Sequence, residues 1–100
     1  MSTLLTGITT SGTPHLGNYV GAIKPSIAKS KDFKKNFLFL ADYHSLIKNQ
    51  DPELTFKSSI EIAAAWIACG IDFKKVIFYR QSSIPQILEL NWILTSVTPK

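Results

Sequence analysis

Gly7-Ile8-Thr9-Thr10-Ser11-Gly12-Thr13-Pro14-His15-Leu16-Gly17-Asn18-Tyr19-Val20-Gly21-Ala22 is the stretch on which the reading of the fold turns. It follows a short apolar run and precedes a helical pattern, so it reads as the turn between a first strand and a first helix. Such a turn presents backbone N–H groups and the positive end of a helix dipole to an anion. Gly7, Gly12, Gly17 and Gly21 let a ligand approach the main chain or permit unusual φ angles. Thr9, Thr10 and Ser11 add hydroxyls without charge, and His15 adds a donor within reach of a phosphate. The spacing fits neither a Walker A loop nor a G-x-G-x-x-G dinucleotide loop.

Working outward, Thr3 to Thr6 suits a buried strand and Leu16 to about Ile23 a first helix. Pro25 has no N–H and should kink that helix or begin a new turn. Asn36 to Ala41 is apolar after its first residue, the pattern of a strand buried on both faces of a parallel sheet. Asp51-Pro52-Glu53 starts a helix with a cap, a proline and an acid in the first turn. Phe56, Ile60, Ala63, Ala64 and Ile67 then recur at helical spacing as the expected core face, and Gly70 stops the helix. Val76 to Tyr79 reads as a third strand. Ser83 is placed to cap a last helix with Pro85 in its first turn and Ile87, Leu90, Leu94 and Val97 on its apolar face. Trp66 and Trp92 read as packing residues.

The order β-α-β-α-β-α implies a parallel α/β sheet with right-handed crossovers. Ligands bind at the carboxyl ends of such strands. Gly7 to Asn18, Asp42 to His44 and Arg80 to Ser83 all fall at those ends.

Composition bounds the rest. One hundred residues suit one domain or part of one, and 45% hydrophobic with 18% charged residues is the balance of a folded globular chain. The net charge is +4, with Arg80 the one arginine among eleven basic residues. The basic cluster Lys24, Lys29, Lys31, Lys34 and Lys35 lacks arginine and interleaved aromatics, so it reads as solvated lysines rather than a base-reading surface. Cys69 is the one cysteine. It sits in an alanine-rich run and reads as a buried, inert thiol in a reducing compartment. The N-terminus has no secretory pattern, and no stretch reaches the ~18 apolar residues of a membrane span. The cytoplasm is the expected location. Two His, one Cys and scattered carboxylates form no metal-ligand motif.

His15-Leu16-Gly17-Asn18 resembles the His-Ile-Gly-His signature of class I aminoacyl-tRNA synthetases. The longer run to Ala22, with Asn18-Tyr19 inside it, is similar to the first motif of the tryptophanyl type; tyrosyl enzymes usually keep a second His where Asn18 stands. Asp42-x-His44, Gly70-Ile71-Asp72 and Gln81-Ser82-Ser83-Ile84-Pro85 extend the likeness along the chain. The resemblance implies a Rossmann-like catalytic domain, of which residues 1–100 are the N-terminal portion. It also implies a helical anticodon-binding domain and a Lys-Met-Ser-Lys-Ser loop, neither of which lies in this chain. The implied reaction activates tryptophan with Mg²⁺·ATP and then charges tRNA(Trp), usually in a homodimer. The chain is read as the N-terminal third of such an enzyme, with the isolated 100 residues inactive.

Carried over by position, the resemblance puts Thr9, Thr10 and Ser11 against ATP, and His15, Gly17 and Asn18 against its phosphates and ribose. His15 and Asn18 are the expected catalytic pair. Leu5, Gly7, Ala41 and His44 correspond to the amino-acid pocket. Plainer roles stand beside these: a helix N-cap for His15, a turn former for Asn18, a loop-holding hydrogen bond for His44, a cap for Asp42 and a turn for Gln81. Many family members have Gln-Pro where Thr9-Thr10 stands, so altered loop contacts are expected. Two other readings remain open, a related nucleotidylyl transferase or tyrosyl-type synthetase and a non-catalytic binding module.

Overall fold

The computed structural model describes residues 2–99. Its centre is a three-stranded parallel sheet in the order β1-β2-β3. β1 is Thr3–Thr9, β2 is Lys35–Ala41 and β3 is Val76–Arg80. Leu5 pairs with Phe37, Gly7 with Phe39 and Thr9 with Ala41, while Leu38 pairs with Phe78. β1 therefore runs three residues past the expected Thr6. Its last half gains a full ladder of hydrogen bonds to β2, which propensity alone does not reveal.

The first crossover is one helical rod in three parts: α1 (Leu16–Asn18), a π turn (Tyr19–Ile23) and α2 (Lys24–Lys29). The π turn accounts for Pro25. A proline there removes the 25→21 hydrogen bond and crowds the Gly21 carbonyl. The chain widens by one residue just before it, and the Lys24 N–H reaches back to the Tyr19 carbonyl. The turn α3 (Asp42–Ser45) follows β2 directly. α4 (Pro52–Ala68) makes the second crossover, and α5 (Gln86–Val97) follows a 3₁₀ turn at Gln81–Ser83.

α4 starts as its sequence demands. Asp51 Oδ1 accepts from the N–H groups of Glu53 at 2.9 Å and Leu54 at 3.1 Å. Beyond its end, Gly70 takes a left-handed φ of +92°, a conformation a β-carbon would disfavour.

Ile8, Leu38, Leu40 and Val76 pack against Ile23 of the first crossover and Ile62, Trp66 and Ile71 of the second. Both crossovers thus lie on one face of the sheet. Two connections of the same hand that step in the same direction must do so. The opposite face carries Leu5, Phe37, Phe39, Ile77 and Tyr79. Leu5 and Ile77 are exposed there, and the three rings are half-buried. The expectation that β2 is covered on both faces is therefore corrected among the described residues.

The core face of α4 also differs from expectation. Ser59, Ile62 and Trp66 are buried, while Phe56, Ile60 and Ile67 are exposed and Ala63 is shared by both stripes. The buried stripe is the expected one shifted by a residue, about 100° around the helix. This helix is apolar on several sides, so more than one stripe satisfies the period. Trp66, 1% exposed, brings the largest apolar area and sets the choice. Ser59 is tolerated in that stripe because its hydroxyl donates to the Thr55 carbonyl at 2.9 Å.

Three further expectations are corrected. α5 buries none of its residues, so Ile87, Leu90, Leu94 and Val97 do not form a core face and Trp92 is 75% exposed. Pro85, not Ser83, occupies the N-cap position of α5, because Ser83 is taken up in the 3₁₀ turn. Cys69, at the C-cap of α4, is exposed rather than buried.

Candidate active site

Parallel strands bring their carboxyl ends to one edge, and three polar ties stitch that edge together. Thr10, just past β1, donates its N–H to Ser45 Oγ at 3.0 Å, and its hydroxyl lies 2.8 Å from the same atom. Asp42, just past β2, accepts from the Ser82 N–H at 2.9 Å and from the Ser82 hydroxyl just past β3. The same carboxylate accepts from the Tyr43 N–H at 3.1 Å, but Ala41 holds the N-cap position of α3 and Asp42 is its first residue, so the expected cap at Asp42 is corrected. His44 Nδ1 lies 3.1 Å from Gln81 Oε1. Each tie joins neighbouring strand ends, so the three loops form a single rim.

The β1–α1 loop rises from this rim. Gly12 adopts a φ of +77° and turns the chain back toward the helix. His15 then takes an extended conformation at the N-cap of α1. Its N–H donates to Asn18 Oδ1 at 3.0 Å, and its carbonyl accepts from the Asn18 N–H at 3.0 Å. Its imidazole lies over Gly17: a β-carbon at residue 17 would stand 2.9 Å from both Cε1 and Nδ1. His15, Gly17 and Asn18 are thus one assembled unit, with His15 and Gly17 exposed. Thr9 and Ser11 keep partial exposure in the same loop.

Thr10 is different. It has no exposed surface, and its polar atoms face Ser45. Its expected place against ATP is corrected to a place inside the loop's foundation, because a fully enclosed hydroxyl has no face left for a ligand.

The residues matched to an amino-acid pocket fall into two groups. Leu5 and Gly7 line a hollow along β1 with Gly21, Pro25 and Lys29. His44 lines another with Tyr43, Ile47, Gln81 and Leu88. Ala41 is buried at the end of β2. Among the described residues the four do not line a common cavity. Gly7 has a clear local reason: a β-carbon there would stand 2.5 to 2.8 Å from three atoms of the Phe39 ring. Only glycine lets that ring lie across β1. Phe39 in turn tilts against Tyr79 at 5.8 Å between centroids.

Sequence reasoning missed Ser45, Phe39 and Tyr79, and it named Ser82 within the Gln81–Pro85 motif without a role for its side chain. The aromatics were legible as the alternate residues of β2 and β3 on the face opposite Leu38 and Phe78. Ser45 carried no signal beyond its place after a strand. No group of three or more His, Cys, Asp or Glu side chains is gathered to hold a metal among the described residues. No helix of those residues is long and apolar enough to cross a membrane.

A family model described as tRNA synthetases class I (W and Y) matches residues 1–100. The tryptophan–tRNA ligase of Xylella fastidiosa is 63% identical over 98 residues, covering 97% of this chain and 23% of that protein. The tryptophan–tRNA ligase of Neisseria meningitidis is 55% identical, covering 97% of this chain and 29% of that protein. A solved structure of tryptophanyl-tRNA synthetase from Campylobacter jejuni, complexed with ADP and tryptophan, superposes with a TM-score of 0.88 at 40% identity. It covers 98% of this chain and 30% of that one. The chain thus spans about a quarter of the length of the curated relatives it matches.

Proposed function

The chain belongs to the class I tRNA synthetases of the W and Y type, and from that premise we propose that it is the N-terminal part of the catalytic domain of a tryptophan–tRNA ligase. The observation that carries the reading is the 55 to 63% identity, over nearly the whole chain, to proteins of that name. The intact enzyme joins a tryptophan carboxylate oxygen to the α-phosphorus of ATP in an in-line displacement. The bond from that phosphorus to the pyrophosphate oxygen breaks, giving tryptophanyl-adenylate and pyrophosphate. A hydroxyl of the terminal ribose of tRNA(Trp) then attacks the adenylate's carbonyl carbon, forming the ester as the bond to the phosphate oxygen breaks and AMP leaves. In this reading the intact enzyme also carries an anticodon-binding domain and a second signature loop, and it acts as a homodimer. The enzyme works in the cytoplasm.

In this reading the exposed unit of His15, Gly17 and Asn18 meets the nucleotide, with Thr9 and Ser11 beside it. The His15 ring donates an N–H to a phosphate oxygen as charge builds there in the transition state, an electrostatic rather than a proton-transfer role. Gly17 leaves room for the His15 ring to lie over the helix start, beside the nucleotide. Asn18 holds the His15 main chain in its extended conformation through the 3.0 Å bond from the His15 N–H, and so fixes where the ring stands. Thr10 contributes by holding the loop. Leu5, Gly7, Ala41 and His44 contribute to the amino-acid side, with the remainder of the pocket supplied by the rest of the enzyme. Magnesium enters with the nucleotide phosphates, which supply its oxygen ligands. Positioning and charge stabilisation carry the rate, with no covalent enzyme intermediate.

The test is ATP–pyrophosphate exchange by the intact gene product, with tryptophan and tyrosine tried separately. Exchange with tryptophan alone is the expected result. Exchange with tyrosine instead supports a tyrosyl-type enzyme, and exchange with neither removes the ligase assignment.

A further inference from the structure

Ser45 belongs to none of the motifs that mark the chain, yet it is the most completely enclosed polar junction at the site's edge. It is 1% exposed, and Thr10, which it meets, is 0% exposed. Three hydrogen bonds converge on its Oγ: from the Thr10 N–H at 3.0 Å, with the Thr10 hydroxyl at 2.8 Å, and to the Ala41 carbonyl at 3.2 Å. A serine hydroxyl has one proton and two lone pairs. The Ala41 carbonyl only accepts, so the Ser45 proton goes there. The Thr10 N–H only donates, so it takes one lone pair. The last lone pair then receives the Thr10 hydroxyl proton. With that assignment the proton and both lone pairs of the Ser45 hydroxyl are all used.

The two sides of this junction matter. Thr10 lies between Thr9 and Ser11, in the loop read as the nucleotide side. Ala41 and His44 lie in the segment read as the amino-acid side, and Ser45 is the next residue after His44. We propose that Ser45 is a positioning residue that locks the nucleotide loop to the amino-acid side of the site, so that the two substrates bind interdependently. This rests on the tryptophan-activating reading given above. A displacement of Ala41 and His44 by the amino acid moves the Ser45 hydroxyl, and Thr10 must follow or leave its N–H and hydroxyl without acceptors. Packing alone would give no such linkage, because a methyl group at residue 45 fills space without directing Thr10.

The test uses the intact enzyme and measures ATP–pyrophosphate exchange across a grid of ATP and tryptophan concentrations, together with the melting temperature. Ser45→Ala should raise the KM for ATP about tenfold with kcat changed less than about threefold, which is the effect of loosening one loop anchor. The dependence of apparent ATP KM on tryptophan concentration should flatten. The double variant Thr10→Val with Ser45→Ala removes the orphaned hydroxyl as well and should recover part of any lost melting temperature. Its ATP KM should stay high. If its KM returns to the wild-type value along with its stability, Ser45 is structural only and the proposal falls. It also falls if Ser45→Ala keeps the wild-type KM and tryptophan dependence. Should Ser45→Ala fail to fold, Thr10→Val alone carries the test, because its N–H bond survives. A KM rise of about threefold supports the proposal and an unchanged KM overturns it. Failure of the underlying reading is distinguishable: wild-type protein would then show no tryptophan-dependent exchange at any ATP concentration, and the proposal would go with it.

Discussion

Replacing Gly17 with Ala separates stability from catalysis at one atom. The new β-carbon would stand 2.9 Å from His15 Cε1 and Nδ1, about half an ångström inside ordinary carbon contact. The backbone is no obstacle, because residue 17 lies within α1 and its φ is not positive. Alanine is favoured over glycine in a helix by about 0.5–1 kcal/mol. The His15 ring is exposed, so it can swing away at little cost in folding energy. The melting temperature should therefore hold or rise slightly. Activity should not. If the ring supplies a preorganised donor to the reacting phosphate, losing its placement costs about 10²-fold in kcat for exchange. A double-mutant cycle with His15→Ala in the intact enzyme distinguishes two causes. If Gly17→Ala acts by displacing His15, the double variant is no worse than His15→Ala alone. If the new methyl blocks the nucleotide itself, the KM for ATP rises and the two losses multiply. A Gly17→Ala enzyme with kcat and ATP KM both within twofold of wild type would refute the placement of this unit at the nucleotide. A fall in melting temperature of more than a few degrees would refute the claim that only His15 stands in the way.

Gly7→Ala should behave oppositely. Its β-carbon meets the Phe39 ring at 2.5 to 2.8 Å, and that ring is held against Tyr79, so overpacking should cost about 1–3 kcal/mol in urea unfolding; a wild-type midpoint would show that Phe39 moves freely. Asp51→Ala removes the acceptor for two N–H groups at the start of α4 and should cost about 1 kcal/mol. Hydrogen exchange at the Glu53 and Leu54 amides should accelerate, and unchanged protection there would discount the cap. Trp66→Ala should destabilise by about 3–5 kcal/mol through the cavity it leaves. Trp66→Phe should cost much less, because the buried Nε1 has no hydrogen-bond partner to lose; equal midpoints for the two variants in chemical denaturation would contradict this.

The strand–helix alternation was readable because its punctuation is local. Asp51-Pro52-Glu53 supplies a cap and a fixed φ within three residues, and Gly70 supplies the one backbone conformation that ends the helix. The β1–α1 loop was readable for the same reason, since His15, Gly17 and Asn18 interact within four residues. The plain structural roles of His15, Asn18 and His44 proved real: an N-cap, a local hydrogen bond and a bond to Gln81. They coexist with the functional reading rather than replace it, because a side chain held by such bonds is already oriented for a ligand. Thr10 was misjudged because a hydroxyl in a glycine-rich loop looks the same in sequence whether it faces outward or inward. Ser45, thirty-five residues away, decides the matter.

Sequence alone determined what depends on neighbours along the chain: the order of elements, their caps and stops, the parallel sheet, and the carboxyl-edge position of the motifs. Tertiary structure alone decided what depends on which surfaces meet. Helix α4 offers two apolar stripes about 100° apart, and only burial of Trp66 against the sheet selects one. α5 is amphipathic by its spacing, yet it buries nothing among the described residues, since an apolar stripe is stabilised only by a surface that covers it. The ties Thr10–Ser45, Asp42–Ser82 and His44–Gln81 join residues 35 to 40 positions apart. No local pattern encodes them, because a hydrogen bond is set by geometry in space, and that geometry exists only once three parallel strands have brought their ends to one edge.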